Sequence, residues 1–296
     1  MRRLIINADD FGLTPGVNRA IAEAREHGIV TSATLMANAR AFEEAAALAR
    51  SMTAQGPGFS VGCHVVLLDG EPLLPPERIS SLLQPGSANG HLRSSLNDFV
   101  LASFRGKLLP DELEAEAAAQ IRRLRAAGVD PSHFDTHKHA HMFPAILAPL
   151  LRAARACGVR AVRNPFGQAW PLPFGDIVRQ RRLWTRFAQL NVLRTFAAKF
   201  RQTVEAHDMR TTDGSVAVLL TGSLDLALFR KLVERLPEGT WEFVCHPGYN
   251  DAELDQVRTR LRQSREQELA LLTSPQAREV LRQQGIELIS YRELAE

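Results

Sequence analysis

The sequence predicts an α/β protein: a single-domain (β/α) barrel-like fold, incomplete or distorted, with one long loop insertion. Three observations point to it. Short apolar β-type runs alternate with amphipathic helical patterns along most of the 296 residues, the signature of a mainly parallel sheet covered by helices. The run of such units is long enough to close, or nearly close, a ring of strands. No internal repeat, low-complexity tract or interdomain linker interrupts residues 1–296, which therefore read as one domain.

Leu4–Ala8 is a buried-type strand, and Thr14 followed by Pro15 opens a helix that runs to His27 and stops at Gly28. A second strand is expected over Ile29–Met36, an Ala-rich helix over Ala41–Met52, and a third strand over Phe59–Leu67. Residues 68–110 form the loop-rich insertion, with Pro72, Pro75, Pro76, Pro85, Gly86, Gly90 and Gly106. Insertions of that length often serve as lids or substrate-binding loops. A helix over Asp111–Ala127, a strand at His133–Asp135, a helix over Phe143–Ala156 and a strand around Arg160–Arg163 come next. Residues 171–201 mix Arg179, Arg181, Arg182, Arg186, Arg194 and Arg201 with Trp184, Phe187 and Leu190. They read as an amphipathic helix with a solvated basic face; contact with an amphiphile is the lesser reading. A strand at Val216–Leu220, a helix over Leu224–Arg235, a strand at Trp241–Cys245, a long charged helix over Asp251–Leu272, a helix over Pro275–Gln284 and a final run Ile286–Ile289 complete the chain.

The 45% hydrophobic and 23% charged composition is that of an ordinary globular protein and excludes disorder as its main state. The excess of +3 charges is dispersed or amphipathic, and no recognition motif appears, so nucleic acid is not an expected partner. Cys63, Cys157 and Cys245 lie in apolar settings and read as buried thiols of a reducing compartment. The run Leu4-Ile5-Ile6 ends in aspartates rather than a signal-peptide cleavage site, and no stretch is long enough to span a bilayer. A cytoplasmic location is expected, and a homodimer is compatible with the sequence.

The chemistry gathers at strand ends, where parallel α/β folds collect reactive side chains. Asp135-Thr136-His137-Lys138-His139-Ala140-His141 places a carboxylate and three imidazoles at alternate positions, and four of the nine histidines fall within nine residues when His133 is counted. In extended chain these four groups share a face, and imidazole is a common zinc ligand. Spacing alone does not say which histidine binds. Asp9 and Asp10 lie at the end of the first strand, and because Thr14 and Pro15 already account for the helix cap, the two carboxylates are left for chemistry. His64, in an otherwise apolar strand, completes an Asp/His/His set with Asp10 and the His137 run. His246 comes directly after the Trp241–Cys245 strand.

Asn7-Ala8-Asp9-Asp10-Phe11-Gly12-Leu13, Gly28-Ile29-Val30-Thr31-Ser32, Gly62-Cys63-His64-Val65-Val66-Leu67, Asp135 to Phe143 and Cys245-His246-Pro247-Gly248-Tyr249 together resemble the YdjC-like carbohydrate deacetylases, among them the chitooligosaccharide deacetylases. The resemblance covers most of the chain. It implies a barrel-like enzyme that removes acetyl groups from N-acetylated sugars with one divalent metal, magnesium or zinc. Carried over by position, Asp10, His64 and His137 would hold the metal, Asp9 would be the general base, and His246 an acid or substrate contact. His139 and His141 would line the pocket or support the ligands. Lys138 stands where the family's run has a further histidine. The implied substrate is an N-acetylated sugar, oligosaccharide or sugar-bearing lipid, and the products acetate and an amino sugar.

Arg163 could orient Asp9, bind substrate or form a structural ion pair. Trp170 could stack on a sugar, whereas Trp241 is expected to pack in the core. Asp213-Gly214 reads as a turn, and Asp69-Gly70-Glu71-Pro72 as a turn or part of the entrance. Two other classes compete with the deacetylase: an inactive sugar-binding or regulatory protein, and a metal-dependent phosphoesterase or isomerase. The full Asp9, Asp10, His64 and His137 set argues against the first, and the few converging carboxylates against an isomerase.

Overall fold

The computed structural model describes residues 1–86, 90–167, 193–218 and 221–295. Its strands are β1 (Arg2–Phe11), β2 (Ser32–Leu35), β3 (Ser60–Val65), β4 (His133–Thr136), β5 (Ala161–Val162), β6 (Arg210–Thr211), β7 (Gly214–Val216), β8 (Gly239–Cys245) and β9 (Ile286–Leu288). Eight of them, in the order β6-β5-β4-β3-β2-β1-β8-β7, form a parallel sheet nearly closed into a barrel, and β9 pairs with the first residues of β1. The ends meet because only Thr212 and Asp213 separate β6 from β7. One bent segment thus pairs with β5 on one side and β8 on the other, and the Ser215 N–H donates to the Phe166 carbonyl at 3.1 Å across the seam.

Alternation along each strand sorts the side chains into two environments. Leu4, Ile6 and Ala8 of β1, Val61, Cys63 and Val65 of β3, and Trp241, Phe243 and Cys245 of β8 join the large apolar core beneath the helices. Their neighbours face the barrel interior: Ile5, Asn7 and Asp9; Ser60, Gly62 and His64; Thr240 and Glu242. The lower interior is closed by a separate small cluster of Ile5, Ala161, Ile289 and Tyr291. Above it the filling is polar, an arrangement whose burial is costly unless most of its groups are partnered.

Gly62 shows how tightly this interior is filled. A Cβ there would lie 2.5 Å from His133 Cε1 and 2.7 Å from the His133 carbonyl oxygen, and His133 cannot retreat because its ring stacks on Tyr291 at 3.6 Å. Gly62→Ala is expected to lower stability by about 1–3 kcal/mol through overpacking. Chemical denaturation checks this, and a wild-type midpoint would show that the layer can yield.

Most helices fall where the sequence places them, with boundaries shifted by one or two residues: Pro15–Glu26, Phe42–Ala54, Pro110–Ala126, Pro144–Ala156, Leu226–Glu234 and Pro275–Gln283. Thr14 caps the first, accepting from the Val17 N–H at 3.2 Å. The loop-rich insertion 68–110 also holds the helix Leu96–Phe104, capped by Ser95, and is tied down by Glu116, whose carboxylate accepts from the Leu73 and Leu74 N–H groups at 2.9 and 3.0 Å. Two expectations are corrected. The expected long helix over 251–272 is broken into Ala252–Asp255 and Gln263–Thr273. Arg262 caps that break, its guanidinium binding the Leu254 carbonyl and Asp255 while its own backbone is non-helical. Gly214 begins β7 rather than a turn, since its neighbour Asp213 bonds to β8 by donating to the Thr240 carbonyl and accepting from its N–H.

Trp241 is buried in the outer core. Cys63, Cys157 and Cys245 are buried free thiols. Trp170, Leu219, Leu220 and the 171–192 part of the Arg/Trp-rich stretch lie outside the described residues. The rest of that stretch forms the turn Arg194–Phe196 and enters the helix Ala197–Ala206. Among the described residues no helix is long and apolar enough to cross a membrane.

Candidate active site

The C-terminal ends of the strands open into a cavity of about 880 Å³ lined by Asp9, Asp10, His64, His137, His139 and His246 among others. Strand alternation should send the adjacent Asp9 and Asp10 to opposite faces. The β1–β2 register instead shifts between Ala8 and Phe11, and Asp10 takes a left-handed backbone with φ 65°, so that both carboxylates line the cavity. Asp69, Lys138 and His139 are likewise left-handed and likewise line it. Non-glycine residues adopt that region at a cost, and its concentration here marks the rim as shaped for function.

The 137–141 run is not the extended segment its spacing suggests. His137–Met142 is a 3-10 turn with left-handed Lys138 and His139 inside it, so its histidines diverge. His137 meets Asp10, its Nδ1 lying 3.5 Å from Asp10 Oδ1. His139 lines the cavity, whereas His141 is buried beneath it, its ring nitrogens engaged with Thr136 Oγ1 at 2.7 Å and the Arg163 carbonyl at 3.2 Å. Lys138 pairs with Asp69 of the insertion at 2.5 Å.

Asp10, His64 and His137 form one group whose ligand atoms lie within 4.8 Å of one another. His64 Nε2 is 3.6 Å from Asp10 Oδ1. Neighbouring ligands around a zinc or magnesium ion stand about 3.0–3.4 Å apart, so the group needs little adjustment to hold a cation. Its supports fit as well. Asp135 accepts from His64 Nδ1 at 2.7 Å, which leaves Nε2 facing the cavity. Arg265 donates to Asp10 Oδ2 at 2.6 Å, leaving Oδ1 for the ion. Burial disfavours charge on His64, but Asp135 and the two aspartates outweigh it and raise its pKa to about 9. A second group, Asp9, His64 and Asp135, is unsuited to a cation because the Arg163 guanidinium already sits between its two carboxylates.

Asp9 is held for a different task. Its Oδ1 accepts from Asn7 Nδ2 at 2.9 Å, Thr34 Oγ1 at 3.2 Å and Arg163 Nη2 at 2.5 Å. Oδ2 accepts from Arg163 Nη1 at 2.8 Å and faces His246 Nε2 at 3.8 Å, so the remaining acceptor capacity lies on Oδ2. Burial opposes its ionisation, yet Arg163 holds the carboxyl well below the usual range. His246 is positioned by its backbone N–H, which donates to buried Glu268 at 2.6 Å, and its Nδ1 has no hydrogen-bond partner among the described residues. Burial, reinforced by Arg163, pushes His139 down to about 3, so its ring stays neutral near neutral pH.

Arg163 itself is fully buried and lines none of the cavity. Its guanidinium contacts Asp9, Asp135 and Glu242, which makes it a support for Asp9 rather than a surface for substrate. Glu242 carried a signal in the sequence, being the one charge within an apolar strand. Arg265 carried none, because it sits among the charged residues of an expected solvated helix.

A family model described as YdjC-like protein matches residues 3–283. A carbohydrate deacetylase of Brevibacillus brevis is 32% identical over 293 residues, which cover 99% of each chain. A chitooligosaccharide deacetylase of Serratia marcescens is 31% identical, with 98% of each chain covered. Among solved structures, a protein of Enterococcus faecalis described as a putative cellobiose-phosphate cleavage protein superposes with a TM-score of 0.77 at 27% identity, covering 100% of this chain and 99% of the other.

Proposed function

The chain belongs to the YdjC-like protein family, and from that premise we propose that it is a metal-dependent carbohydrate deacetylase. It hydrolyses the N-acetyl group of an N-acetylated sugar, oligosaccharide or sugar-bearing lipid. The observation that carries this reading is the pairing of a three-ligand group, Asp10, His64 and His137, with a separately anchored carboxylate, Asp9, in one cavity. A sugar-binding protein has no use for both. Residues 1–296 act as one domain, with the 68–110 insertion supplying Asp69, Ser94 and Leu96 to the cavity wall.

Asp10, His64 and His137 would hold one divalent ion; two imidazoles and a carboxylate suit zinc or magnesium. Bound there, such an ion acidifies water and polarises an amide carbonyl. The chain's own groups move the protons. Asp9 Oδ2 accepts a proton from the attacking water as its oxygen bonds to the acetyl carbon. Arg163 keeps that carboxylate ionised and aimed. As the C–N bond breaks, His246 Nε2 gives the departing nitrogen its proton, and acetate and an amine leave. Neutral His139 is unsuited to that donation and is left to hydrogen-bond the sugar. Lys138 and Asp69 fix the rim. The three unpaired thiols fit a cytoplasmic setting.

A second reading of the substrate, a phosphorylated sugar, is favoured by Arg258 and Arg260. Both are exposed, line the cavity and have no ion-pair partner among the described residues. Acetate release from the metal-reconstituted protein, measured on N-acetylglucosamine oligomers in free, phosphorylated and lipid-linked forms, tests both readings. Release from at least one class is expected. Silence on all three, with metal bound, would overturn the deacetylase reading, and equal rates with and without phosphate would remove the second.

A further inference from the structure

Beneath the cavity a chain of contacts leads away from Asp9 into the closed end of the barrel. Arg163 Nε donates to Glu242 Oε1 at 2.8 Å, and Arg163 Nη2 lies 2.7 Å from the same oxygen. The other oxygen, Glu242 Oε2, accepts from Tyr291 Oη at 2.5 Å and from Ser215 Oγ at 3.3 Å. Tyr291 is itself fixed. Its N–H is shared between Ser32 Oγ at 3.2 Å and Ser60 Oγ at 3.1 Å, and its ring stacks on His133 with an interplanar angle of 12°. Tyr291 lies beyond residue 283, where the family match ends.

We propose that Glu242 and Tyr291 are positioning residues for Asp9, acting through Arg163. Asp9 is gripped at two points by the guanidinium, and such a fork holds a carboxylate only while its own plane is fixed. The Nε edge sets that plane, and Glu242 is its acceptor. Tyr291 in turn occupies the Glu242 oxygen that does not serve that edge, so the carboxylate cannot rotate. Burial pushes the Tyr291 hydroxyl well up, with Glu242 adding to the rise, so Oη keeps its proton and donates. The competing explanation is that Tyr291 merely plugs the barrel beside Ile5, Ala161 and Ile289. A plug needs the ring and not the hydroxyl.

The inference rests on the deacetylase reading, and Tyr291→Phe separates the two explanations because it keeps the ring. In metal-loaded protein, Glu242→Gln is expected to lower kcat about 10–100-fold, the range found when supports of site residues are removed, and Tyr291→Phe, one contact further from Asp9, by about the lower end of that range. KM should stay within about twofold and metal content at the wild-type level. A second readout needs no turnover: the Arg163 Nε–H signal in 15N-labelled protein should exchange with solvent faster in both variants. Wild-type kcat in both variants overturns the inference while leaving the deacetylase reading intact. Should wild-type protein release no acetate, that reading falls instead, and unchanged Arg163 Nε–H exchange in both variants then overturns the positioning role.

Discussion

His137→Ala is expected to leave the protein folded and to weaken divalent-metal binding by more than about 100-fold, beyond what loss of a supporting residue costs. His137 is the cleanest of the three ligands to remove. Its side chain is 22% exposed, against 2% for His64 and 5% for Asp10, and among the described residues its ion-pair contact is with Asp10, beside an edge-on ring contact with His64. His64 also bonds Asp135 and Thr34, and Asp10 bonds Arg265, so changing either disturbs more than the ion. Elemental analysis after dialysis, with thermal melting as the control for folding, reads the outcome. Full metal content in His137→Ala would remove this residue from the ligand set.

Asp9→Asn should separate chemistry from binding. Removing a general base costs about 10²–10⁴-fold in turnover, and Asn cannot take the proton. The fold should tolerate the change, because Arg163 is surrounded by three carboxylates and keeps Asp135 and Glu242 when Asp9 is neutral. A lone buried charge, the costly case, is therefore not created. Metal content should stay at the wild-type level, since Asp9 Oδ1 and one side of Oδ2 are committed to other donors. Turnover within about tenfold of wild type would require another base, and joint loss of metal and turnover would make Asp9 a ligand.

Both expectations concern residues that the sequence exposes for a physical reason. Parallel strands end at one face, so Asp10, His64, His137 and His246 can be proposed as neighbours from strand-end position alone. Spacing could not rank the three histidines of the 137–141 run, because left-handed Lys138 and His139 turn it and no glycine or asparagine marks that turn. The supports were hidden by separation along the chain. Arg163 reaches Asp9 across 154 residues and Arg265 reaches Asp10 across 255, and no local pattern records contacts of that range. The broken helix at 256–262 was obscured because its charged residues suit a solvated helix as well as a cavity wall.

Chelation and reconstitution of the purified protein, with paired assays of acetate and free amine on an N-acetylated sugar, tests metal-dependent deacetylation most directly. The expected result is equimolar acetate and amine from the metal-loaded protein, loss of both after chelation, and their return when zinc or magnesium is restored. Equal acetate release before and after complete removal of the ion would contradict it.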